Sequence, residues 1–305
     1  MSFSITILGS SGALPAYNRF PSSQFLTIQN RHFLIDCGEG SQMQLMRFNL
    51  PYHKINHIFI SHLHGDHYLG LMGLLFSLQL QRRTNDLHLY SHRGLDEIIT
   101  LQLKHARSAL NFNLIFHEID SSPSQIIFED DVLSVETIPL RHKIPCVGFL
   151  IKEKSKPRKI NKEKLPKNIS LQQIASLKLG HEIRDENGNV LFTNKQLTLP
   201  PKKSWSYAYC SDTAPDQSIL SIIKKVDVLY HESTFMESEK EKALETLHST
   251  ARQAAAQAKA ASVGKLLIGH FSARYRDLEP LLVEAQSVFQ NTSLAIEGET
   301  IDLDE

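Results

Sequence analysis

Four metal-binding side chains fall within one short segment, SHLHGDH, at residues 61–67. The segment directly follows an apolar run that reads as a strand. On an extended backbone His62 and His64 point to the same side, and the glycine after them permits a turn that returns Asp66 and His67 to the same place. Imidazole and carboxylate suit zinc, and also manganese or iron. The segment therefore predicts a metal site.

Three further candidate ligands each come directly after a predicted apolar strand. They are His142, Asp212 and His270. Taken one at a time, they are also consistent with a surface histidine, a helix cap and a core histidine. Their shared position at strand ends, where loops carry function, predicts that they converge with the 61–67 segment.

These side chains divide into two ligand sets that share one carboxylate. The expected division is one ion held by His62, His64 and His142, a second ion held by Asp66, His67 and His270, and a bridge formed by Asp212. Two divalent ions about 3.5–4 Å apart can activate a water and stabilise both the attacking and the leaving oxygen of a displacement. That chemistry is hydrolytic, and its most natural substrate is a phosphodiester.

Composition limits the class of protein that carries this site. The chain has 305 residues, of which 41% are hydrophobic and 22% are charged, so it can bury a large core. Its 33 basic and 33 acidic residues cancel, so any nucleic-acid contact must come from a local basic patch. Three cysteines, the absence of a signal-peptide pattern and the absence of a membrane-length apolar run predict a cytoplasmic protein without membrane contact.

Strand and helix patterns alternate along the chain and predict an α/β fold with two sheets covered by helices. The expected strands are Phe3–Leu8, Ser23–Ile28, His32–Ile35, His57–Ile60, Leu87–Tyr90, Asn113–Ile119, Val132–Pro139, Val147–Ile151, Trp205–Cys210, Val226–Tyr230, Lys265–Ile268 and Ser293–Ile301. The expected helices are Leu69–Gln81, Leu95–Ala109, Ile219–Lys224, Ala251–Ala261 behind a capping box at Thr250, and Leu278–Phe289.

A basic stretch separates the two halves of the chain. Residues 152–167 hold eight basic residues against two acidic ones, together with two prolines. This composition indicates an extended arm more than a core element. A charged, solvated linker is the other interpretation of such a stretch.

Several motifs resemble those of the metallo-β-lactamase superfamily and, within it, the ribonuclease Z family of tRNA 3′-processing endonucleases. The resemblance covers nearly the whole chain. It is carried by residues 8–15 with Arg19, Asp36–Gln42, Ser61–His67 continuing to Leu75, Ser211–Thr213, His231–Thr234, His248–Thr250 and Gly269–Tyr275.

The resemblance implies a fold, a substrate and a metal content. The fold would be an αβ/βα sandwich, one domain over residues 1–305, with 152–204 as an inserted basic arm that binds tRNA. It also implies two Zn²⁺ ions per subunit, with Mn²⁺ or Fe²⁺ as substitutes, a homodimer, and precursor tRNA as the partner. The expected RNA contacts are Lys164, Lys167, Lys178 and Arg274.

The resemblance also suggests catalytic roles for three residues. Asp66 would orient the nucleophile, and His248, with Glu232, would protonate the leaving 3′ oxygen. Because His248 stands just before a predicted helix, the helix N-terminus would also favour a phosphate oxygen there. Cleavage would fall near the discriminator base and leave a 3′-hydroxyl on the tRNA and a 5′-phosphate on the trailer.

Two alternatives to a tRNA nuclease stay open at the level of sequence. The first is a hydrolase of small molecules, such as a phosphodiesterase, which needs the metals but neither the arm nor the segment at His248. The second is a non-enzymatic RNA-binding module with a structural metal. Structural zinc sites are normally closed by four ligands and often rich in cysteine, which the set of histidines and aspartates here does not resemble.

Overall fold

The computed structural model describes residues 3–304. The chain divides into two compact units. The first, here called the main unit, comprises the residues up to Glu129, Val135–Ile151 and the residues from Ser206 onward. The second, here called the arm unit, comprises Asp130–Ser134 and Lys152–Trp205.

The strands of the described residues are numbered in chain order. The first ten are β1 (Phe3–Gly9), β2 (Ser11–Gly12), β3 (Ser23–Ile28), β4 (Arg31–Cys37), β5 (His57–Phe59), β6 (Leu87–Ser91), β7 (Leu114–Glu118), β8 (Ile126–Glu129), β9 (Leu133–Pro139) and β10 (Val147–Glu153). The others are β11 (Lys159–Ile160), β12 (Ile183–Arg184), β13 (Val190–Phe192), β14 (Thr198–Leu199), β15 (Ser206–Cys210), β16 (Val228–Glu232), β17 (Lys265–Gly269), β18 (Phe271–Ser272), β19 (Thr292–Leu294) and β20 (Thr300–Asp302).

The helices are numbered in the same way. They are α1 (Ser41–Arg47), α2 (Gly65–Tyr68), α3 (Leu71–Leu80), α4 (Leu95–His105), α5 (Leu171–Lys178), α6 (Asn194–Leu197), α7 (Lys240–Thr246), α8 (Ala251–Ala261) and α9 (Glu279–Gln286). Across residues 3–304, none of these helices has both the length and the apolar character needed to cross a bilayer.

Two seven-stranded mixed sheets form the centre of the fold. Their strand orders are β20-β1-β3-β4-β5-β6-β7 and β19-β17-β16-β15-β10-β9-β8. The sheets face each other, since Phe59 of β5 lies 5.5 Å from Phe149 of β10 between ring centroids. Apolar side chains on the outer face of the first sheet pack against α1, α3 and α4, and those of the second sheet pack against α8 and α9. The predicted fold of two helix-covered sheets is confirmed.

Local sequence signals set the ends of several elements as expected. At the start of α8, the Thr250 hydroxyl accepts a hydrogen bond from the Gln253 N–H, and the Gln253 side chain accepts one from the Thr250 N–H. This reciprocal pair satisfies two otherwise unpaired helix N–H groups. The capping box predicted from the sequence is therefore confirmed.

Two predicted elements are wrong. The expected helix at Ile219–Lys224 is only a 3-10 turn over Ser218–Ser221. The expected closing strand at Ser293–Ile301 is two strands, β19 and β20, which belong to different sheets. Between them Gly298 adopts a φ of +86°, a left-handed conformation that glycine accepts readily and that ends an extended run.

The arm unit has a small fold of its own. Strands β11 and β14 pair, β12 and β13 form a second pair, and a Ser170 capping box opens α5. Leu177, Ile183 and Leu197 are buried together. The basic stretch itself has no α-helix, but the residues after it form these elements, which the sequence analysis did not anticipate.

Candidate metal centre

Strand ends bring the candidate ligands to one edge of the two sheets. The 61–67 segment follows β5, and α2 begins at Gly65 within it. His142 follows β9, Asp212 follows β15 and His270 follows β17. Strands β15, β16 and β17 run parallel, so their carboxyl ends lie side by side. All seven residues proposed as ligands from the sequence lie in this cluster.

Three imidazole nitrogens converge on one side of the cluster. His64 Nδ1 lies 3.1 Å from His62 Nε2 and 3.2 Å from His142 Nε2. Asp212 Oδ2 faces them, at 3.6 Å from His62 Nε2 and 3.8 Å from His142 Nε2. These four donor atoms all lie within 4.8 Å of one another, which allows a single ion to contact them all.

A second group of donors lies on the other side of Asp212. Asp66 Oδ2 is 3.5 Å from His67 Nε2 and 3.4 Å from His270 Nε2. The other Asp212 oxygen, Oδ1, is 3.4 Å from His67 Nε2 and 3.1 Å from His270 Nε2. The two oxygens of one buried carboxylate therefore face two different sets of ligands.

In three of the imidazoles, a hydrogen bond at one nitrogen leaves the other nitrogen directed at the centre. His142 Nδ1 donates to the Leu247 carbonyl, and His270 Nδ1 donates to the Thr234 hydroxyl. His67 Nδ1 donates to Asp36 Oδ2 at 2.7 Å. A metal-binding histidine generally donates its second N–H to a protein acceptor in this way.

One atom tests whether a metal fits these residues. His67 Nε2 is buried and has no hydrogen-bond partner among the described residues. A buried polar atom without a partner is costly, and this one is directed toward Asp66 and Asp212. Although burial lowers the pKa of His67, the carboxylates of Asp66, Asp212 and Asp36 raise it well above its ordinary value. The surroundings thus favour a positive charge at this nitrogen, and a divalent cation would supply it.

Asp36 is hydrogen-bonded to His67 of the centre, although the sequence patterns predicted no site role for it. It is fully buried and adopts a φ of +53° at the end of β4. Its Oδ1 accepts the Ser61 N–H at 2.7 Å, and its Oδ2 accepts the Tyr209 hydroxyl at 2.7 Å in addition to His67. An aspartate ahead of Gly38, inside a motif already noted for resemblance, was the signal available in the sequence.

His248 and Glu232 form a hydrogen-bonded pair at the rim of the centre. His248 Nδ1 donates to Glu232 Oε1 at 2.7 Å, and Glu232 is fully buried at the end of β16. Burial lowers the pKa of His248, but the carboxylates of Glu232, Asp212 and Asp66 together outweigh it and raise that pKa to about 9. His248 Nε2 lies 4.0 Å from Asp212 Oδ2, so it faces the same space as the ligands.

The centre opens into a pocket of about 560 Å³. His64, Asp66 and His248 line this pocket, and Lys143, which the sequence analysis did not single out, lines it as well. An open pocket beside the ligand cluster leaves room for a substrate, unlike a closed structural metal site.

The residues expected to contact RNA are distributed over both units. Arg274 belongs to the main unit, pairs with Glu239 and lies over the Phe235 ring, 5.0 Å from its centroid. The three lysines belong to the arm unit and are exposed; they are Lys164, Lys167 and Lys178.

Known proteins match this chain over nearly its whole length. A ribonuclease Z from Cytophaga hutchinsonii is 50% identical over 298 residues, which is 98% of this chain and 95% of that protein. A ribonuclease Z from Bacteroides fragilis is 45% identical over 302 residues, 99% of each. The chain belongs to the ribonuclease Z family.

A family model and two solved structures add to this relationship. The family model described as Anti-Pycsar protein Apyc1 matches residues 3–157, and over that stretch the chain belongs to that family too. The short form of human tRNase Z superimposes with a TM-score of 0.70 and 26% identity, covering 98% of both chains. The metallo-β-lactamase fold protein YhfI from Bacillus subtilis has a TM-score of 0.70 at 18% identity, covering 99% of this chain and 100% of that one. The metallo-β-lactamase fold expected for the ribonuclease Z family is confirmed.

The hydrogen bond from His67 to Asp36 predicts that replacing Asp36 lowers the affinity of the centre for a divalent metal. In Asp36→Asn the amide nitrogen cannot accept a hydrogen bond, so His67 loses part of its orientation and basicity. We expect divalent-metal affinity to fall about 10–100-fold, as for other outer partners of metal ligands. Competition titration against a chromophoric chelator measures this. Asp120→Asn, at an exposed aspartate, is the matched control, and equal affinity in both variants would contradict the assigned role.

Proposed function

We propose that this chain is a metal-dependent endoribonuclease that removes the 3′ trailer from precursor tRNA. Its full-length relationship to the ribonuclease Z family supports this substrate. The observation that carries the chemistry is Asp212, whose two oxygens face two ligand sets beside the His248–Glu232 pair. Cleavage near the discriminator base would leave a 3′-hydroxyl on the tRNA and a 5′-phosphate on the trailer.

We further propose that the centre holds two Zn²⁺ ions per subunit, for which Mn²⁺ or Fe²⁺ could substitute. When bound, two such ions activate water and stabilise the charge that develops on the phosphoryl oxygens. The proposed first set is His62, His64 and His142, the second set is Asp66, His67 and His270, and Asp212 joins them. The convergent nitrogens and the partnerless His67 Nε2 support this assignment.

The protein side chains would then move two protons. Asp66, whose Oδ2 faces the second set, orients the attacking water and accepts its proton. His248 donates the Nε2 proton to the leaving 3′ oxygen as the bond from phosphorus to that oxygen breaks. Glu232 holds Nδ1 and, together with Asp212 and Asp66, keeps the pKa of His248 at about 9. This ring is therefore protonated near neutral pH and can act as the acid.

The arm unit is proposed to bind tRNA. Its longer stretch, Lys152–Trp205, nearly coincides with the 152–204 arm expected from the sequence. Exposed lysines on it supply positive charge, and its buried leucine and isoleucine side chains give it a folded framework.

We also propose a homodimer, since Met43, Met46 and Leu80 expose large apolar side chains on the main unit. The three free cysteines support the cytoplasm as the compartment.

A hydrolase of small phosphodiesters remains the second candidate. The open pocket beside the centre is compatible with it. Such an enzyme would use the same centre without needing the arm unit. The assays below distinguish the two activities.

Incubation with a precursor tRNA that carries a 3′ trailer tests the proposed function directly. We expect one discrete cut near the discriminator base, a 3′-hydroxyl on the tRNA, and complete loss of cleavage after treatment with a chelator. Adding zinc back should restore cleavage. A 2′,3′-cyclic phosphate would indicate attack by the RNA itself, and cleavage of small phosphodiesters alone would favour the second candidate.

His248→Ala should slow cleavage by about 10²–10⁴-fold, since general acid help has that magnitude. The acid works in its protonated form, so wild-type kcat should fall as the pH rises through about 9, and the variant should lack this decline. Bound metal, measured by atomic emission, should stay unchanged. Because His248, Asp212 and His270 also lie close enough to hold an ion, loss of metal would mean that His248 is a ligand instead.

Replacing Lys164, Lys167 and Lys178 together by alanine should weaken precursor tRNA binding. A plot of log affinity against log salt concentration has a negative slope. Each lost phosphate contact makes that slope shallower by about 0.7–0.9. Filter binding at several salt concentrations measures this slope. The matched control replaces three exposed lysines of the main unit, Lys104, Lys224 and Lys259. Deletion of residues 154–200 should have a larger effect while hydrolysis of a small phosphodiester survives; equal loss of both would mean that the segment is structural.

A further inference from the structure

The loop from Ser10 to Phe20, here called the opening loop, contacts two residues of the second ligand set, Asp66 and His270, through its backbone. The Ala13 N–H donates to Asp66 Oδ2 at 2.8 Å. Gly12 packs so closely on His270 that a Cβ added there would lie 2.8 Å from the imidazole Cε1. The opening loop therefore lies directly against Asp66 and His270, and its position determines the surroundings of both side chains.

One carboxylate, Glu297, holds both ends of the opening loop. Its Oε1 accepts the Phe20 N–H at 2.7 Å and the Ser10 N–H at 3.2 Å. Its Oε2 accepts the Gln44 Nε2–H at 3.0 Å, and Gln44 in turn donates to the Leu8 carbonyl at 2.9 Å. Glu297 thus joins the two ends of the loop to each other and to α1.

The protein maintains this carboxylate in an unfavourable place. Burial raises the pKa of Glu297 to about 7, although the Phe20 and Ser10 N–H groups and Arg19 oppose the rise. Arg19 and Arg47 are the charged groups that face it, across a cavity of about 240 Å³. Because this folded-state pKa lies above the ordinary value, the group makes folding less favourable as the pH rises toward about 7. A contribution to folding stability therefore does not explain this half-buried anion.

We propose that Glu297 is a positioning residue for the reaction: it fixes the opening loop so that the Ala13 N–H and the Gly12 backbone hold Asp66 and His270 in their working orientation. The inference rests on the proposed function for its activity measurement only. Glu297 itself lies away from the proposed ligands and acts through Ser10 and Phe20. The Phe20 and Ser10 N–H groups donate to one oxygen of Glu297, and the Gln44 amide donates to the other. A glutamine at position 297 has only one acceptor oxygen for these donors.

The test compares Glu297→Gln and Glu297→Ala with Glu299→Gln, an exposed glutamate in the same turn region. Each protein is loaded with Co²⁺, and its visible absorption reports the geometry of the ligands without any turnover. Steady-state kinetics on a small chromogenic phosphodiester then separate kcat from KM. Thermal unfolding of each protein at pH 8 shows whether a variant has lost the fold.

We expect both Glu297 variants to shift the Co²⁺ spectrum and to lower kcat by about tenfold or more with little change in KM, since small misplacements of catalytic groups have effects of this size. Glu297→Gln should keep the wild-type Tm or exceed it at pH 8, because it removes a half-buried charge. Added formate, which the cavity can admit, should partly restore kcat in Glu297→Ala. Glu299→Gln should behave as wild type.

Three outcomes would overturn the proposal. They are an unchanged Co²⁺ spectrum with unchanged kcat, a loss of kcat that follows a fall in Tm without formate rescue, and an equal effect of Glu299→Gln. If the wild-type protein binds Co²⁺ but hydrolyses no phosphodiester, the proposed function has failed, and the spectra still decide the role of Glu297.

Discussion

The site depends on one constraint: several carboxylates are buried close together at the edge of the sheets. Asp36 and Asp212 are almost completely buried, and Asp66 lies beside them. Imidazoles surround these carboxylates. Burying carboxylates costs several kcal/mol each unless positive charge compensates. Divalent cations would provide that charge, and the imidazole nitrogens directed at the same space are their preferred ligands.

The fold meets this constraint by distributing the donors over many strands. Each proposed ligand follows a strand of one of the two facing sheets, so no single loop has to build the centre. The strands are anchored on both sides, by the helices outside and by aromatic contacts between the sheets, such as that of Phe59 with Phe149. A rigid framework of this kind keeps the ligands in place with little reorganisation when an ion binds.

The sequence predicted which side chains meet at the sheet edge, because the pattern that marks them is local. Histidines and aspartates after apolar strands can be recognised without knowing the fold, and the fold class follows from the alternation of strands and helices. The role of Asp36 could not be predicted, because Ser61 and Tyr209, two of its partners, meet it only in the folded chain. The break between β19 and β20 was missed for a similar reason. The apolar pattern of residues 293–301 suits a single strand. Which sheet each part of it joins depends on how the two sheets pack.

The connection between β10 and β15 has a consequence for how such chains diversify. These strands are neighbours in the second sheet, yet the whole segment from Lys154 to Trp205 lies between them in sequence. Because both ends of the excursion are held by adjacent strands, its closure entropy grows only slowly with its length. Lineages can therefore lengthen, shorten or exchange this segment while the second sheet and the residues at its edge stay as they are.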